Sequence, residues 1–277
     1  MASRELLQRI ATALVLAPLV LAALLALPTH WFALFLLLFI ALAAWEWASM
    51  NRFTGWVRIA FFAAIAGASA VLWWLEFTRL PMLVVVALWW LVVFVLIVTY
   101  PRGSGPLRQP ALSVVVGVIT LTGAWIALVD IHDARRILVL WLLLQVWASD
   151  IGAYFAGRAF GRRKLALKVS PGKTWEGLFG GVTLALVVAA GWALLDPALV
   201  VRWHGFIMVL AISLLIVSVS VVGDLAESLQ KRIAEVKDSG QLFPGHGGVL
   251  DRIDSILAAA PAFALVLWSF DALSSLD

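Results

Sequence analysis

The residues of this sequence that could do chemistry are concentrated in one polar stretch, residues 228–254. The stretch combines lysine, arginine, aspartate and histidine with a glycine-rich turn, although only 13% of the whole chain is charged. Apolar runs long enough to cross a bilayer lie directly before and after it. Because charged groups are costly at membrane depth, this concentration calls for a chemical explanation.

Aspartates are the first candidates for catalysis, and they come from three parts of the chain. Asp150 interrupts one apolar run, Asp224 ends another, and Asp251 and Asp254 lie three residues apart in the polar stretch. Two carboxylates about 5 Å apart repel by roughly 3 kcal/mol at an effective dielectric constant of about 20, so such a set needs a cation or lysines nearby. The chain has no cysteine and few histidines, and carboxylates combined with phosphate oxygens suit Mg²⁺. We therefore predict a magnesium site built from Asp224 and Asp251, with Asp150 or Asp254 nearby; ion pairs with Arg252 and Lys231 are the structural alternative.

Asp150 itself has two interpretations. If its helix extends to about Gly157, Asp150 lies about seven residues inside the helix, or roughly 10 Å from the end. A carboxylate at that depth is expected to face a polar cavity. The alternative is a helix that ends early and leaves Asp150 in water.

The residues after Asp224 predict one polar face of a helix. If the helix continues, Asp224, Glu227, Ser228 and Lys231 occupy positions i, i+3, i+4 and i+7. An ordinary polar helix end is the alternative, but an aspartate at a helix C-terminus opposes the helix dipole.

A second polar loop, residues 158–176, contains candidate phosphate-binding groups. Ser170 precedes Pro171, which predicts that Ser170 caps a helix with proline at its first position. Lys173 and Thr174 would then lie in the first turn, where anions bind. The basic residues at 158–164 have a second interpretation, as anchors facing anionic lipid.

The turn that precedes the last helix is the third candidate phosphate site. Pro244 and the glycines at 245, 247 and 248 permit a tight turn with exposed backbone N–H groups. A chain that turns there and then enters a helix can present these groups to an anion. His246 is expected to contact phosphate or order the loop, with acid–base work as the alternative.

Composition predicts the elements that position these residues. The chain has 277 residues, a mean hydropathy of +1.03 and about half the charge of a soluble domain, so we expect a polytopic membrane protein. Its fold class is predicted to be all-α with about nine transmembrane helices, because lipid cannot satisfy exposed backbone groups. These spans are expected near residues 10–28, 32–50, 59–75, 82–99, 111–129, 137–157, 177–195, 205–223 and 255–272.

Orientation follows from the distribution of lysine and arginine. With a cytoplasmic N-terminus, four of the 20 basic residues lie on the opposite side: Arg79, Arg135, Arg136 and Arg202. The C-terminus is then periplasmic, and loops 158–176 and 224–254 face the cytoplasm. We divide the chain into an N-terminal transmembrane region, 1–130, and a C-terminal catalytic region, 131–277.

The sequence resembles the phosphatidate cytidylyltransferases, also called CDP-diacylglycerol synthases, of the bacterial type. The family signature is matched throughout residues 228–254, by the elements Ser-x-x-Lys-Arg, Lys-Asp, Pro-Gly-His-Gly-Gly and Asp-Arg-x-Asp. Weaker matches agree in order: Trp45-Glu46-Trp47, Asp150-x-Gly-Ala-Tyr, residues 170–177 and Gly223-Asp224. The resemblance therefore covers essentially the full length.

The resemblance implies the reaction of CTP with phosphatidate to give CDP-diacylglycerol and pyrophosphate, the first committed step of bacterial phospholipid synthesis. It implies Mg²⁺ as the cofactor, and a second cation is compatible with it. It also implies a protein of the inner membrane with no nucleic-acid partner, and a homodimer as the family's assembly. Catalytic roles are predicted for Asp150, Asp224, Lys231, Asp251 and Asp254, of which Asp150, Asp224 and Asp251 would bind metal. Substrate contacts are predicted for Ser170, Lys173, Thr174, Ser228, Arg232, Lys237, Gly245, His246, Gly247, Gly248 and Arg252.

Other classes of membrane protein fit the sequence less well. A transporter of lipid or small molecules is the main alternative, but transporters place charges near the midplane, often between inverted repeats. Here the charges gather at one face and no repeat is visible. The aspartate motif of CDP-alcohol phosphotransferases is absent from the sequence, and a structural scaffold leaves residues 228–254 unexplained.

Overall fold

The fold, seen in a computed structural model, is helical with one short hairpin. The structure describes residues 17–76, 79–102, 105, 109–240, 242 and 247–274. Its helices are α1 Ala17–Ala26, α2 Thr29–Met50, α3 Gly55–Trp74, α4 Arg79–Thr99, α5 Pro110–Phe160, α6 Trp175–Leu195, α7 Pro197–Arg202, α8 Phe206–Ala234 and α9 Leu250–Ser274. The strands are β1 Lys164–Ala166 and β2 Ser170–Thr174.

Seven of the described helices are long and apolar enough to cross a membrane: α2, α3, α4, α5, α6, α8 and α9. Their buried residues face each other in one apolar core, while many large hydrophobic side chains point outward. An apolar exterior of this extent is expected where lipid is the solvent. The chain is therefore a polytopic helical membrane protein, as the composition predicted.

Helix α5 is the longest described element and is long enough to cross a bilayer twice. Its 51 residues would extend about 75 Å if straight, more than twice the roughly 30 Å of a bilayer core. One residue, Arg135, has extended backbone (φ −168°, ψ 111°) and divides α5 into two halves. The sequence predicted a loop at 130–136 here. The structure corrects this, because helical structure runs up to a single-residue kink.

The hairpin between α5 and α6 corrects a second expectation. β1 and β2 pair antiparallel, with Lys164 opposite Thr174 and Ala166 opposite Ser170. Ser170 therefore lies in a strand and caps no helix, and Lys173 and Thr174 precede the first helical turn. The cap is Thr174, whose hydroxyl accepts a hydrogen bond from the Gly177 N–H at 3.1 Å. The proline rule misplaced the helix start by four residues, because Pro171 is equally compatible with an extended strand.

Helices α5 and α6 approach closely because the residues between them are small. A Cβ atom on Gly152 would collide with the carbonyl oxygen of Gly180, and one on Gly181 would lie 2.7 Å from the Ser149 carbonyl oxygen. Small residues allow this kind of helix contact in membranes, where apolar burial alone gives little driving force. The contact fixes Asp150, on α5, beside the hairpin that carries Lys173.

The other end of the bundle is held by an aromatic cluster. Trp141 lies 5.2 Å from Trp203 and 5.3 Å from Phe263, between ring centroids, and all three side chains are fully buried. The cluster joins α5, the α7–α8 connection and α9. The aromatic cluster therefore fixes α5, α8 and α9 relative to one another at the end of the bundle away from the hairpin.

Candidate active site

A polar cleft lies where α5, β2, α6, α8 and α9 meet. Its volume is about 500 Å³, within the range of small-molecule sites. Its polar lining includes Asp150, Tyr154, Arg158, Lys173, Thr174, Ser220, Asp224 and Ser255. Four residues that the sequence singled out, Asp150, Lys173, Thr174 and Asp224, therefore line one space. Asp150 lies inside a continuous helix and faces this cleft, which excludes the alternative of a helix that ends early.

An ion pair across the cleft joins the hairpin to α8. The Lys173 ammonium group contacts Asp224 Oδ2, and both side chains remain partly exposed to the cleft. The predicted helical continuation past Asp224 is confirmed, since α8 extends to Ala234. A lysine that can exchange a carboxylate for a phosphate oxygen is suited to bind an anionic substrate.

Two further carboxylates lie near this ion pair. Asp150 and Asp254 each lie within electrostatic range of Asp224, of Lys173 and of each other. Arg252 is in turn within electrostatic range of Asp150, and Arg158 lines the cleft. Carboxylates this close to one another repel unless cations share them.

A second polar cluster lies on the α8–α9 interface, beside the cleft. Lys231 Nζ donates to Glu227 Oε2 at 2.6 Å and to Asp251 Oδ1 at 2.8 Å, and all three side chains are largely buried. Asp254 is within electrostatic range of Glu227 as well as of Asp224, so it lies between the two clusters. The carboxylates that the sequence predicted to act together therefore form two neighbouring groups.

Asp251 is held by several donors at once. Its Oδ2 accepts from the Ser239 hydroxyl at 2.8 Å, the Gly248 N–H at 2.8 Å and the Ser239 N–H at 3.3 Å. Gly247 has φ +78°, and a Cβ atom there would lie 2.6 Å from Asp251 Oδ2. The glycine at 247 is thus required by both its backbone conformation and its closeness to Asp251.

An apolar groove meets the polar region from the other side of α9. Its volume is about 440 Å³, and it lies between α1, α2, α5 and α9. Arg252 is the one charged side chain among the described residues that line it. Arg252 is also within electrostatic range of Asp150. The groove and the cleft are adjacent along α9, where Ile256 lines the groove and Ser255 lines the cleft.

The carboxylates of the cleft could bind Mg²⁺ if water and substrate phosphates supplied the other ligands. No group of three or more His, Asp or Glu side chains in the described chain is close enough to hold a metal by itself. Mg²⁺ is commonly bound by one or two carboxylates together with water and substrate phosphates. Asp150 and Asp224 are available for this, whereas both oxygens of Asp251 already accept hydrogen bonds. The metal set of Asp150, Asp224 and Asp251 stays a prediction.

The other residues predicted to contact substrate do not line the cleft or lie outside the described residues. Arg232 Nε donates to the Val169 carbonyl oxygen at 3.2 Å, so it binds α8 to the hairpin. Ser170, Ser228 and Lys237 are not among the described residues that line the cleft. Gly245 and His246 lie outside the described residues, so their predicted phosphate contacts stay predictions.

Sequence reasoning assigned no role to several residues that the structure brings to the site. Glu227 was placed on the correct helix face, and its spacing of four from Lys231 was the available signal. Ser239 and Ser255 gave no signal. Glu46 was noted only as part of a motif, although a carboxylate inside an apolar run is itself a functional signal.

Known cytidylyltransferases are similar to this sequence over most of its length. The model of a family described as the cytidylyltransferase family matches residues 7–270. A phosphatidate cytidylyltransferase of Pseudomonas aeruginosa is 41% identical over 265 residues, covering 95% of this chain and 97% of that protein. One from Haemophilus influenzae is 39% identical, covering 93% and 96%. One from Bacillus subtilis is 38% identical over 164 residues, covering 56% and 60%.

Proposed function

The chain belongs to the cytidylyltransferase family, and on that premise we propose that it transfers the cytidylyl group of CTP to phosphatidate, giving CDP-diacylglycerol and pyrophosphate. The resemblance inferred from residues 228–254 is thus confirmed at the level of the family. One observation carries the proposal. A polar cleft with acidic and basic groups lies directly beside an apolar groove, and Arg252 lies at the junction.

The cleft suits the triphosphate of CTP. Lys173 and Arg158 both line it, and Arg158 also donates to the Tyr154 hydroxyl at 2.9 Å. Two cationic side chains offset phosphate charge, and they can stabilise the charge that develops on the leaving pyrophosphate. This favours a substrate-binding role for Arg158 over membrane anchoring alone.

Mg²⁺ would be held by Asp150 and Asp224, with Asp254 at its side and phosphate oxygens completing its ligands. When bound, the ion would neutralise phosphate charge and orient the triphosphate. The three carboxylates within electrostatic range of one another, Asp150, Asp224 and Asp254, support this assignment.

The reaction is an in-line displacement at the α-phosphorus of CTP. A phosphate oxygen of phosphatidate forms the new P–O bond, and the bond from the α-phosphorus to the bridging oxygen breaks, so pyrophosphate leaves with the bonding electron pair. The attacking oxygen is already anionic, so no strong general base is required. The protein contributes positioning and electrostatic stabilisation, the main terms in phosphoryl transfer.

Phosphatidate would place its acyl chains in the apolar groove and its phosphate near Arg252. The groove is lined by aliphatic and aromatic side chains of α1, α2, α5 and α9. Arginine binds phosphate with a planar pair of donors. Because Arg252 is within electrostatic range of Asp150, a phosphate bound to Arg252 would lie near the cleft.

The function is tested with two labelled forms of CTP. With phosphatidate, Mg²⁺ and purified protein in mixed micelles, label on the α-phosphate should move into lipid, and label on the γ-phosphate should appear in pyrophosphate. Chelation of Mg²⁺ should stop both, because the carboxylate-rich cleft needs a cation. Transfer of the γ-phosphate label to lipid would indicate a kinase, and lipid movement without pyrophosphate would indicate the alternative, a transporter.

The groove is tested by filling it. Leu36 of α2 lines the groove, and Leu36→Trp should raise the apparent KM for long-chain phosphatidate about tenfold, as expected if overpacking costs 1–3 kcal/mol of binding. The KM for CTP should not change. The wild type and Leu36→Trp should use phosphatidate with very short acyl chains equally well, because such chains occupy little of the groove.

Leu34 provides the matched control for this variant. It lies on the same helix, is 55% exposed and is not among the residues that line the groove. Leu34→Trp should leave both KM values as in the wild type. Equal effects of the two variants, or an unchanged KM in Leu36→Trp, would exclude the groove as the acyl-chain site.

The orientation of the chain stays a prediction from its basic loops. We propose a bacterial cytoplasmic membrane location, a cytoplasmic N-terminus, about nine spans and a homodimer. The kink at Arg135 divides α5 into two parts, each long enough for one span, which supports two spans in this part of the chain. A cytoplasmic cleft would receive CTP from the cytosol.

A further inference from the structure

Glu46 is a buried carboxylate that neither substrate site contains. It lies near the end of α2, is 5% exposed, and is not among the described residues that line the cleft or the groove. Burying a carboxylate is unfavourable unless hydrogen bonds compensate it. Its contacts therefore indicate what its charge is used for.

The contacts of Glu46 converge on the start of α9. Oε1 accepts from the Val249 N–H at 2.9 Å, and Oε2 accepts from the Leu250 N–H at 2.9 Å. These N–H groups are at the N-terminus of α9, where a helix leaves donors unsatisfied and favours negative charge. Asp251 is the next residue, so the position of its backbone depends on this contact.

A second connection runs from Glu46 to Asp251 through Ser239. The buried Ser239 hydroxyl lies 3.1 Å from Glu46 Oε2 and 2.8 Å from Asp251 Oδ2. A hydroxyl has one hydrogen, so it donates to one of these carboxylates at a time. Glu46 thus influences both the backbone and the side-chain environment of Asp251.

Two glycines leave space for the Glu46 carboxylate. A Cβ atom on Gly240 or on Gly248 would collide with the Glu46 carboxylate. Both glycines belong to the segment that connects α8 to α9. These two glycines therefore leave room for a carboxylate contributed by a helix about 200 residues earlier in the sequence.

We propose that Glu46 is a positioning residue for cytidylyl transfer, which fixes the start of α9 and thereby Asp251 and its partner Lys231. The proposal rests on the proposed function, because the effect on catalysis is expressed through that reaction. Glu46 touches no reacting atom. Its loss should lower kcat more than it alters substrate binding.

The test variant is Glu46→Gln, which has the size of glutamate but one acceptor oxygen. Its NH₂ group must face a backbone N–H of Val249 or Leu250, so the start of α9 is displaced. We expect kcat to fall about 10- to 100-fold, because small displacements of reacting groups have effects of this size, with the KM for CTP changed about threefold or less. Glu46→Asp retains two acceptors and should recover part of kcat.

Hydrogen exchange measures the anchoring without any assay of activity. In Glu46→Gln, the peptide that contains Val249 and Leu250 should exchange faster, while a peptide around the buried Ala124 should exchange as in the wild type. Glu76→Gln is the matched control, because that side chain is 78% exposed, and it should change neither rate. If the wild-type protein shows no cytidylyl transfer but Glu46→Gln still exchanges faster at Val249 and Leu250, the proposed function is refuted while the anchoring role of Glu46 stands.

Two outcomes would overturn the proposal. One is a kcat within about twofold of the wild type in Glu46→Gln, and the other is a reduced kcat with unchanged exchange at Val249 and Leu250. If Glu46→Gln does not fold, Glu46→Asp decides, since its shorter side chain keeps two acceptor oxygens but holds the N–H groups of Val249 and Leu250 less well. A lowered kcat together with faster exchange at Val249 and Leu250 would support positioning, and a lowered kcat without faster exchange, or no change in either, would refute it.

Discussion

Replacing Asp224 by asparagine is expected to lower kcat about a thousandfold while the protein stays folded and inserted, corresponding to about 4 kcal/mol of transition-state stabilisation. Asp224 contacts Lys173 and lies within electrostatic range of Asp150 and Asp254. Asparagine keeps the shape of the side chain but removes the charge that would hold Mg²⁺. The measurement is transfer of α-phosphate label to lipid over a range of Mg²⁺ concentrations, where the variant should need much more Mg²⁺.

Asp196 provides the control for this substitution. Its carboxylate pairs with Arg135 at 3.0 Å, at the end of α6 remote from Lys173. Asp196→Asn should keep kcat and the dependence on Mg²⁺. Full activity of Asp224→Asn would exclude Asp224 from the metal site. A loss that is equal in both variants would indicate general damage to the fold.

Replacing Lys173 by methionine is expected to lower kcat/KM for CTP about a hundredfold, the usual effect of losing one group that stabilises transition-state charge. Methionine preserves the length and the apolar part of the side chain. It leaves Asp224 without its ion-pair partner, so repulsion of phosphate by that carboxylate should weaken binding further. Initial rates at varied CTP and saturating phosphatidate measure the effect.

Lys168 is the matched control, because it lies in the same hairpin and is exposed. Lys168→Met should behave as the wild type in the same assay. If Lys173→Met also kept its rate and its affinity for CTP, the hairpin would return to the alternative role of membrane anchoring. If both variants lost activity equally, the charge of the hairpin as a whole would be responsible.

The distinction from a transporter follows from where the polar residues are. The cleft lies at the ends of α5, α8 and α9, beside the hairpin, and its polar groups include Lys173 and Asp224. A transporter needs a path between the two sides of the membrane. The opposite end of the bundle is filled by the buried rings of Trp141, Trp203 and Phe263. This arrangement favours an enzyme that works at one membrane surface.

Local pattern in the sequence determined much of this protein. Apolar runs of bilayer length predicted the helices, because the hydrogen bonds of a helix are made within the segment itself. Helical spacing predicted that Asp224, Glu227 and Lys231 share a face, and the 2.6 Å contact between the last two agrees. Such predictions succeed because they need only residues within two or three turns of one another.

Tertiary packing decided the rest. The hairpin at 164–174 depends on pairing that proline and serine patterns do not specify, so the start of α6 was misplaced. Asp251 and Asp254 lie three residues apart, yet Asp251 is held by Lys231 and Ser239, while Asp254 is within electrostatic range of Asp224 and Lys173. Glu46 meets Val249 and Leu250 only because α2 packs near α9. Contacts between residues that lie far apart in the sequence follow from how whole helices dock, and the periodicity of a single segment carries no information about its distant partner.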